Sequence, residues 1–198
     1  EFLQTLTFAF DASPSWQRKA PIAHAHLGLH RQLDGNFYVG AMPLLGRLTP
    51  QQLCGLAGLA KSELRLTPWQ GILIPHIAKA EGKSIISQLH ALGFSTDPAS
   101  PAARLRACSG SKGCASALAD TQADSERLAL KLQCDTKQIH ITGCAKSCAA
   151  LSPLPHTLLA RSPMYYDLFL QDKAGPSRFG RLLATNITID EAAKLLNK

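Results

Sequence analysis

Residues 107–117 read ACSGSKGCASA, and residues 142–148 read TGCAKSC. Five residues separate Cys108 from Cys114, and three separate Cys144 from Cys148. Four thiolates can hold a zinc ion or an iron–sulfur cluster. Structural zinc sites favour about two to four residues between paired cysteines, so the wider gap fits zinc poorly. A four-iron cubane is larger than one ion and suits wide, unequal gaps. Gly110, Gly113 and Gly143 allow the tight turns such loops need. Lys112 and Lys146 each sit inside a cysteine pair, where an ammonium group would offset the charge of a four-thiolate cluster and tune its potential.

The rest of the chain sets bounds on this reading. Its 198 residues suffice for one large domain or two small ones, and 45% are hydrophobic, as in an ordinary globular protein. No window approaches twenty apolar residues, so no membrane span is expected. The N-terminal stretch EFLQTLTFAFDASPSW lacks a basic leader and a small-residue cleavage site, and it does not start with Met. It reads as part of a longer, cytoplasmic protein. Six cysteines are too few for a disulfide scaffold of this size, so paired thiols read first as metal ligands. The net charge of +7 implies acidic partners. Lys and Arg are spread along the chain without a basic run or interleaved aromatics, so no nucleic-acid motif is read, and a polycarboxylate ligand or anionic cofactor accounts for the charge as well as nucleic acid does.

The pattern predicts an α+β protein: a ferredoxin-like unit followed by a mixed α/β iron–sulfur domain. Residues 1–30 read as a lead-in, with weak strand candidates around Phe8 and Phe10. In residues 31–95, NFYVGAMP (36–43) has strand composition. Thr49, Pro50 and Gln52 form a capping box that starts a helix, with Cys54 in its core. SELRLT and GILI read as strands, the first with Leu64 and Leu66 on one face. KSIISQLHALG reads as a helix ended by Gly93. STDPASPA (95–102) is a Pro/Ser-rich joint, after which residues 96–198 form the cluster domain. There the reading gives a long helix from about Ser116 to Leu132. Strands follow at KQIHITG, HTLLA, YYDLFL and RFGRLLA, then a helix capped by Thr188 and Glu191.

C-x5-C followed by C-x3-C resembles the cluster signature of the sulfite and nitrite reductase superfamily. LTPQQL and LRLTPWQGILI are similar to that superfamily's ferredoxin-like repeat. LRLTPWQGILI, CSGSKGCASALADT, GCAKSCA and YYDLFL together resemble its precorrin-3B synthase branch, over roughly residues 35–170. The resemblance implies that Cys108, Cys114, Cys144 and Cys148 ligate one [4Fe–4S] cluster. In the sirohaem reductases the last cysteine also bridges to haem iron, a position that falls on Cys148. The precorrin branch implies oxygen-dependent hydroxylation and lactone formation on precorrin-3A. The cluster would then relay electrons from a separate donor protein, with a mononuclear non-haem iron as a further cofactor. Arg65, in the matching LRLT strand, becomes a candidate contact for a tetrapyrrole carboxylate. Trp69, His76, Lys112 and Lys146 join it as substrate-side candidates. Superfamily members consist of two similar halves that clasp the ligand. The resemblance therefore implies a C-terminal half, completed by the rest of the same protein or by a partner chain.

Two other readings compete. One is a sirohaem-dependent sulfite or nitrite reductase fragment. The other is a non-catalytic iron–sulfur or zinc-stabilised binding module. Elsewhere, Cys134 reads as structural, His140 as a packed or surface residue, and Tyr165 and Tyr166 as strand packing. His24 and His26 would share a strand face that a metal could use. No Ser-His-Asp order, phosphate loop or GxGxxG is found, so no nucleotide site is expected.

Overall fold

The computed structural model describes residues 22–197 apart from 61, 135, 173 and 176. The lead-in strand candidates around Phe8 and Phe10 lie outside the described residues. Two five-stranded sheets carry the chain. The first contains β1 (Gly28–Arg31), β2 (Phe37–Pro43), β3 (Arg65–Leu66), β4 (Ile72–Ile77) and β5 (Phe94–Ser95). Its order is β1-β2-β4-β3, with β5 paired to the end of β2, and every pair is antiparallel. Helices α1 (Pro50–Leu59) and α2 (Gly82–Ala91) pack against it.

Local chemistry sets these elements. Thr49 accepts from the Gln52 amide at 3.2 Å, while the Gln52 side chain accepts from the Thr49 amide at 2.9 Å. With Pro50 at the first helical position, this is the expected capping box. Gly93 takes φ +83° just past α2, a left-handed stop that suits glycine. Val39, Ala41, Ile72, Ile74 and Ile77 bury one sheet face against Leu56, Ile85 and Leu89. Complete burial of such a side chain stabilises by roughly 1.5–3 kcal/mol.

The second sheet has the order β10-β9-β8-β7-β6. It consists of β6 (Leu105–Ala107), β7 (Ile139–Thr142), β8 (His156–Ser162), β9 (Tyr165–Leu170) and β10 (Arg181–Ile187). Strands β6, β7 and β8 run parallel, and β9 and β10 run antiparallel. Strand β7, between β6 and β8, is buried at all four residues, as a parallel strand covered on both faces should be. Short α3 (Pro101–Arg104) leads into β6, α4 (Thr121–Ala129) connects β6 to β7, and α5 (Ile189–Leu196) closes the chain. Leu105, Ile139, Ile141, Leu158 and Leu168 form the core with Leu128, Ile189 and Ala192. Leu45, from a 3-10 turn at Leu44–Gly46 after β2, joins this second core and ties the two units together.

Several local expectations change. Helix α4 starts at Thr121 rather than near Ser116. Asp120 caps it by accepting from the Ala123 amide at 3.3 Å. The preceding residues bond across loops instead: Leu118 N donates to Gly143 O at 2.9 Å and Ser111 N to Ala119 O at 2.9 Å. Strand β3 keeps only Arg65 and Leu66, and Leu66 is exposed on this edge strand. Strand β1 begins inside the expected lead-in. His24 and His26 lie in a turn, not on a strand. Cys54 is exposed because α1 turns Leu56, not Cys54, toward the sheet. Cys134 is also exposed.

Candidate iron–sulfur site

Cys108 directly follows the end of β6, and Gly143–Cys144 directly follow β7. The two strands are adjacent and parallel, so their carboxyl ends lie side by side, about 4.8 Å apart. Both cysteine loops therefore leave from one edge of the sheet, where open α/β sheets bind ligands. This is how two pairs about thirty residues apart in sequence come to face each other.

They share one cavity of about 390 Å³, lined by Cys108, Cys114, Cys144 and Cys148. Its opposite wall comes from the first unit, through Leu45, Gly46, Arg47 and Gln70. Leu45, Gly46 and Gln70 adopt φ of 57°, 69° and 62°, and Ser147, inside the second cysteine pair, adopts 59°. Left-handed backbone at non-glycine residues is strained and gathers at functional sites. All four sulfurs are free thiols. Among the described residues, no three His, Cys, Asp or Glu side chains converge closely enough for a single metal ion. Four free thiols around one cavity are a donor type that iron–sulfur clusters use.

Close packing holds the two loops together. A Cβ on Gly143 would lie 2.5 Å from Ala117 Cβ and 3.6 Å from Cys108 Sγ. A Cβ on Gly110, at φ +68°, would lie 2.7 Å from the Thr121 amide. Gly143 N donates to Cys108 Sγ at 3.2 Å, and Thr121 Oγ1 lies 3.4 Å from the same sulfur. Burial pushes the Cys108 thiol pKa up. The Thr121 hydroxyl, the Gly143 and Gly110 amides and the Thr142 hydroxyl together outweigh it, and the net shift is downward. That favours the thiolate, the form that binds metal. Ser147 Oγ donates to Ala150 O at 2.9 Å and lies 3.4 Å from His140 Nδ1, bracing the second pair on β7.

The substrate-side candidates separate in space. Lys146 lines the cavity, its Nζ 3.2 Å from Ser116 Oγ. Lys112 does not line it and pairs with Asp120 at 2.7 Å. Trp69 is half exposed and stacks on His26 with ring centroids 5.1 Å apart, next to cavity-lining Gln70. Arg65 is exposed, pairs with Glu63 at 2.5 Å and lines a different hollow, with Arg31, Tyr38 and Leu73. His76 lies in the same charged group, 3.3 Å from Asp34 and 3.5 Å from Glu63. Sequence reasoning missed Leu45, Arg47, Gln70, Gln122 and Thr142 as cavity residues, and Thr121 as the buried group beside Cys108 Sγ. Gln70 lies inside the quoted TPWQG and Thr121 inside ALADT, so position within those motifs was the available signal.

Residues 30–92 match the family model described as the nitrite/sulfite reductase ferredoxin-like half domain. The chain is 29% identical over 147 residues to sulfite reductase [ferredoxin] 2 of Mycolicibacterium paratuberculosis, a match covering 66% of this chain and 26% of that protein. It is 33% identical over 132 residues to ferredoxin–nitrite reductase of Synechococcus elongatus, covering 62% of this chain and 26% of the relative. The structure of the Mycobacterium tuberculosis NirA protein superposes with a TM-score of 0.73 at 28% identity, over 91% of this chain and 37% of NirA. The chain thus has the mixed α/β, ferredoxin-like fold of the nitrite and sulfite reductases. The matched stretches span about a quarter of the length of these curated relatives.

Proposed function

We propose that this chain is the cluster-bearing part of a sulfite/nitrite reductase-like oxidoreductase, with Cys108, Cys114, Cys144 and Cys148 holding a [4Fe–4S] cluster. The observation that carries this reading is the shared cavity: four free thiols line it, at the carboxyl ends of two adjacent parallel strands. Its support is the likeness to sulfite and nitrite reductases over most of the chain. A bound cluster supplies one-electron transfer. The residues of this chain hold the sulfurs, favour the thiolate of Cys108 and close one side of the cavity with Leu45, Arg47 and Gln70. Lys146 adds a positive charge at the rim.

Because the relatives reported above are sulfite and nitrite reductases, the reductase reading takes precedence over hydroxylation of precorrin-3A. Sirohaem is the macrocycle it calls for, and Cys148 is the ligand that would face the haem. The remaining parts of a reductase, its second half and its electron donor, would come from elsewhere in the same protein or from partner chains.

The test is anaerobic purification followed by iron, sulfide and pigment analysis. About four irons and four sulfides per chain are expected, and Cys114→Ser should lose them and destabilise the second unit, since metal binding and folding are coupled. Full iron and sulfide in Cys114→Ser would overturn the ligand set. Reconstituted with the rest of the protein, sirohaem bands and sulfite or nitrite reduction support the reductase reading. Oxygen-dependent conversion of precorrin-3A without sirohaem would overturn it.

A further inference from the structure

We propose that Thr121 is a positioning residue of the cysteine site, whose hydroxyl moves between the carbonyl oxygen and the sulfur of Cys108 and raises the reduction potential of a cluster bound there. This rests on the reading of the four cysteines as cluster ligands. The four sulfurs are not equivalent. Among the described residues, hydrogen-bonding groups reach Cys108 Sγ from Gly143 N at 3.2 Å and Thr121 Oγ1 at 3.4 Å, with weaker help from the Gly110 amide and the Thr142 hydroxyl. None reaches the sulfurs of Cys114, Cys144 or Cys148.

Thr121 opens α4 and is completely buried. Its Oγ1 donates to Cys108 O at 2.9 Å. That carbonyl has a second donor, Gln122 Nε2 at 2.5 Å. A carbonyl has two lone pairs and both are used, so losing the hydroxyl leaves it satisfied by Gln122. A threonine hydroxyl carries one proton and turns about a single bond. With Cys108 protonated, the sulfur is a weak acceptor and the carbonyl keeps that proton. As a metal-bound thiolate the sulfur carries charge and no proton of its own, and hydrogen bonds to charged acceptors are the stronger ones. The hydroxyl then serves both acceptors or turns to the sulfur, with Gln122 holding the carbonyl. Packing keeps the geometry narrow, because a Cβ on Gly110 would lie 3.0 Å from Thr121 Oγ1.

Reduction adds negative charge to the cluster and its sulfurs, so a donor aimed at a ligand sulfur stabilises the reduced form more than the oxidised form. Removing the hydroxyl should therefore make the cluster harder to reduce. The experiment compares the anaerobically purified wild type with Thr121→Val and Thr121→Ser. Iron and sulfide are measured first, then the midpoint potential by EPR-monitored titration. At equal iron content, Thr121→Val should lower the reduced-to-oxidised ratio at fixed potential about tenfold, or about 59 mV for a one-electron couple. Thr121→Ser should restore it. If Thr121→Val does not retain iron, Thr121→Ala takes its place in the comparison with Thr121→Ser. A wild type free of iron and sulfide overturns the cluster reading itself. An iron-loaded hydroxyl-free variant with the wild-type potential overturns only the role of Thr121. A Thr121→Ser protein as displaced in potential as the hydroxyl-free variant does the same, because packing rather than the hydroxyl would then be responsible.

Discussion

Replacing Gly143 with alanine tests whether the two cysteine loops close on each other. The new Cβ would meet Ala117 Cβ at 2.5 Å and Ala117 Cα at 3.0 Å, and neither partner is the end of a flexible side chain. Backbone must therefore move. The segments that would move carry the bond from Leu118 N to Gly143 O at 2.9 Å and that from Gly143 N to Cys108 Sγ at 3.2 Å. Overpacking of this kind costs about 1–3 kcal/mol. With a urea dependence of about 2 kcal/mol per molar, the unfolding midpoint of the metal-free, reduced protein should fall by about 0.5–1.5 M. Gly58→Ala is the matched control. Gly58 is exposed in α1, and a Cβ there meets nothing within 4 Å. Replacing a helical glycine stabilises by roughly 0.5–1 kcal/mol, so that midpoint should rise. Far-UV circular dichroism against urea reads both variants. An unchanged midpoint for Gly143→Ala would refute the close approach of the loops at Ala117, and with it the packing argument for the shared cavity.

Two further outcomes concern buried polar groups of the second sheet. Burial, with Arg106 and Arg178 nearby, lowers the pKa of His140 from 6.5 to about 4. The folded protein then binds fewer protons than the unfolded chain between those values. The stability from neutral His140 is complete above pH 6.5 and drains away as pH falls toward 4, by an amount of the order of 3 kcal/mol. His24, His26 and His156 shift in the same direction. Urea unfolding at stepped pH should show this loss, and His140→Gln should flatten it; an equally steep loss in the variant would count against the assignment. Tyr166 is fully buried and its hydroxyl donates to Asp124, which also pairs with Arg127. Tyr166→Phe leaves a buried carboxylate oxygen short of one donor, at about 1–3 kcal/mol, which thermal melting should register as roughly 2–4 °C per kcal/mol; an unaltered melting temperature would show that the bond contributes nothing net.

Features settled by neighbours in sequence were legible in advance. The capping boxes at Thr49–Gln52 and Thr188–Glu191 need only a three-residue reach, and both form as read. The strands HTLLA and YYDLFL carry their own hydrophobic pattern and pair as β8 and β9. Failures came where distant groups compete for the same backbone. Residues 116–120 have helical composition, yet Leu118 bonds to Gly143 and Asp120 caps the helix that follows. The helical run around Cys54 did not say which side faces the sheet, and Leu56 takes that place. Arg65 was legible as a basic residue on a strand, but its partner Glu63 and its distance from the cysteine cavity depend on how the edge strand lies.

By itself, the sequence determined the candidate ligands of the proposed cluster: four thiols in two glycine-turned loops, with spacings that suit a cubane. Ligand type and loop reach are local properties, written in consecutive residues. Tertiary structure decided that these loops meet, because only the parallel pairing of β6 with β7 sets their carboxyl ends side by side. It also decided that Leu45, Arg47 and Gln70 of the other unit close the cavity and that Thr121 and Gly143 address a single sulfur. Such contacts join residues far apart in the chain, and the packing that selects them has no trace in local periodicity.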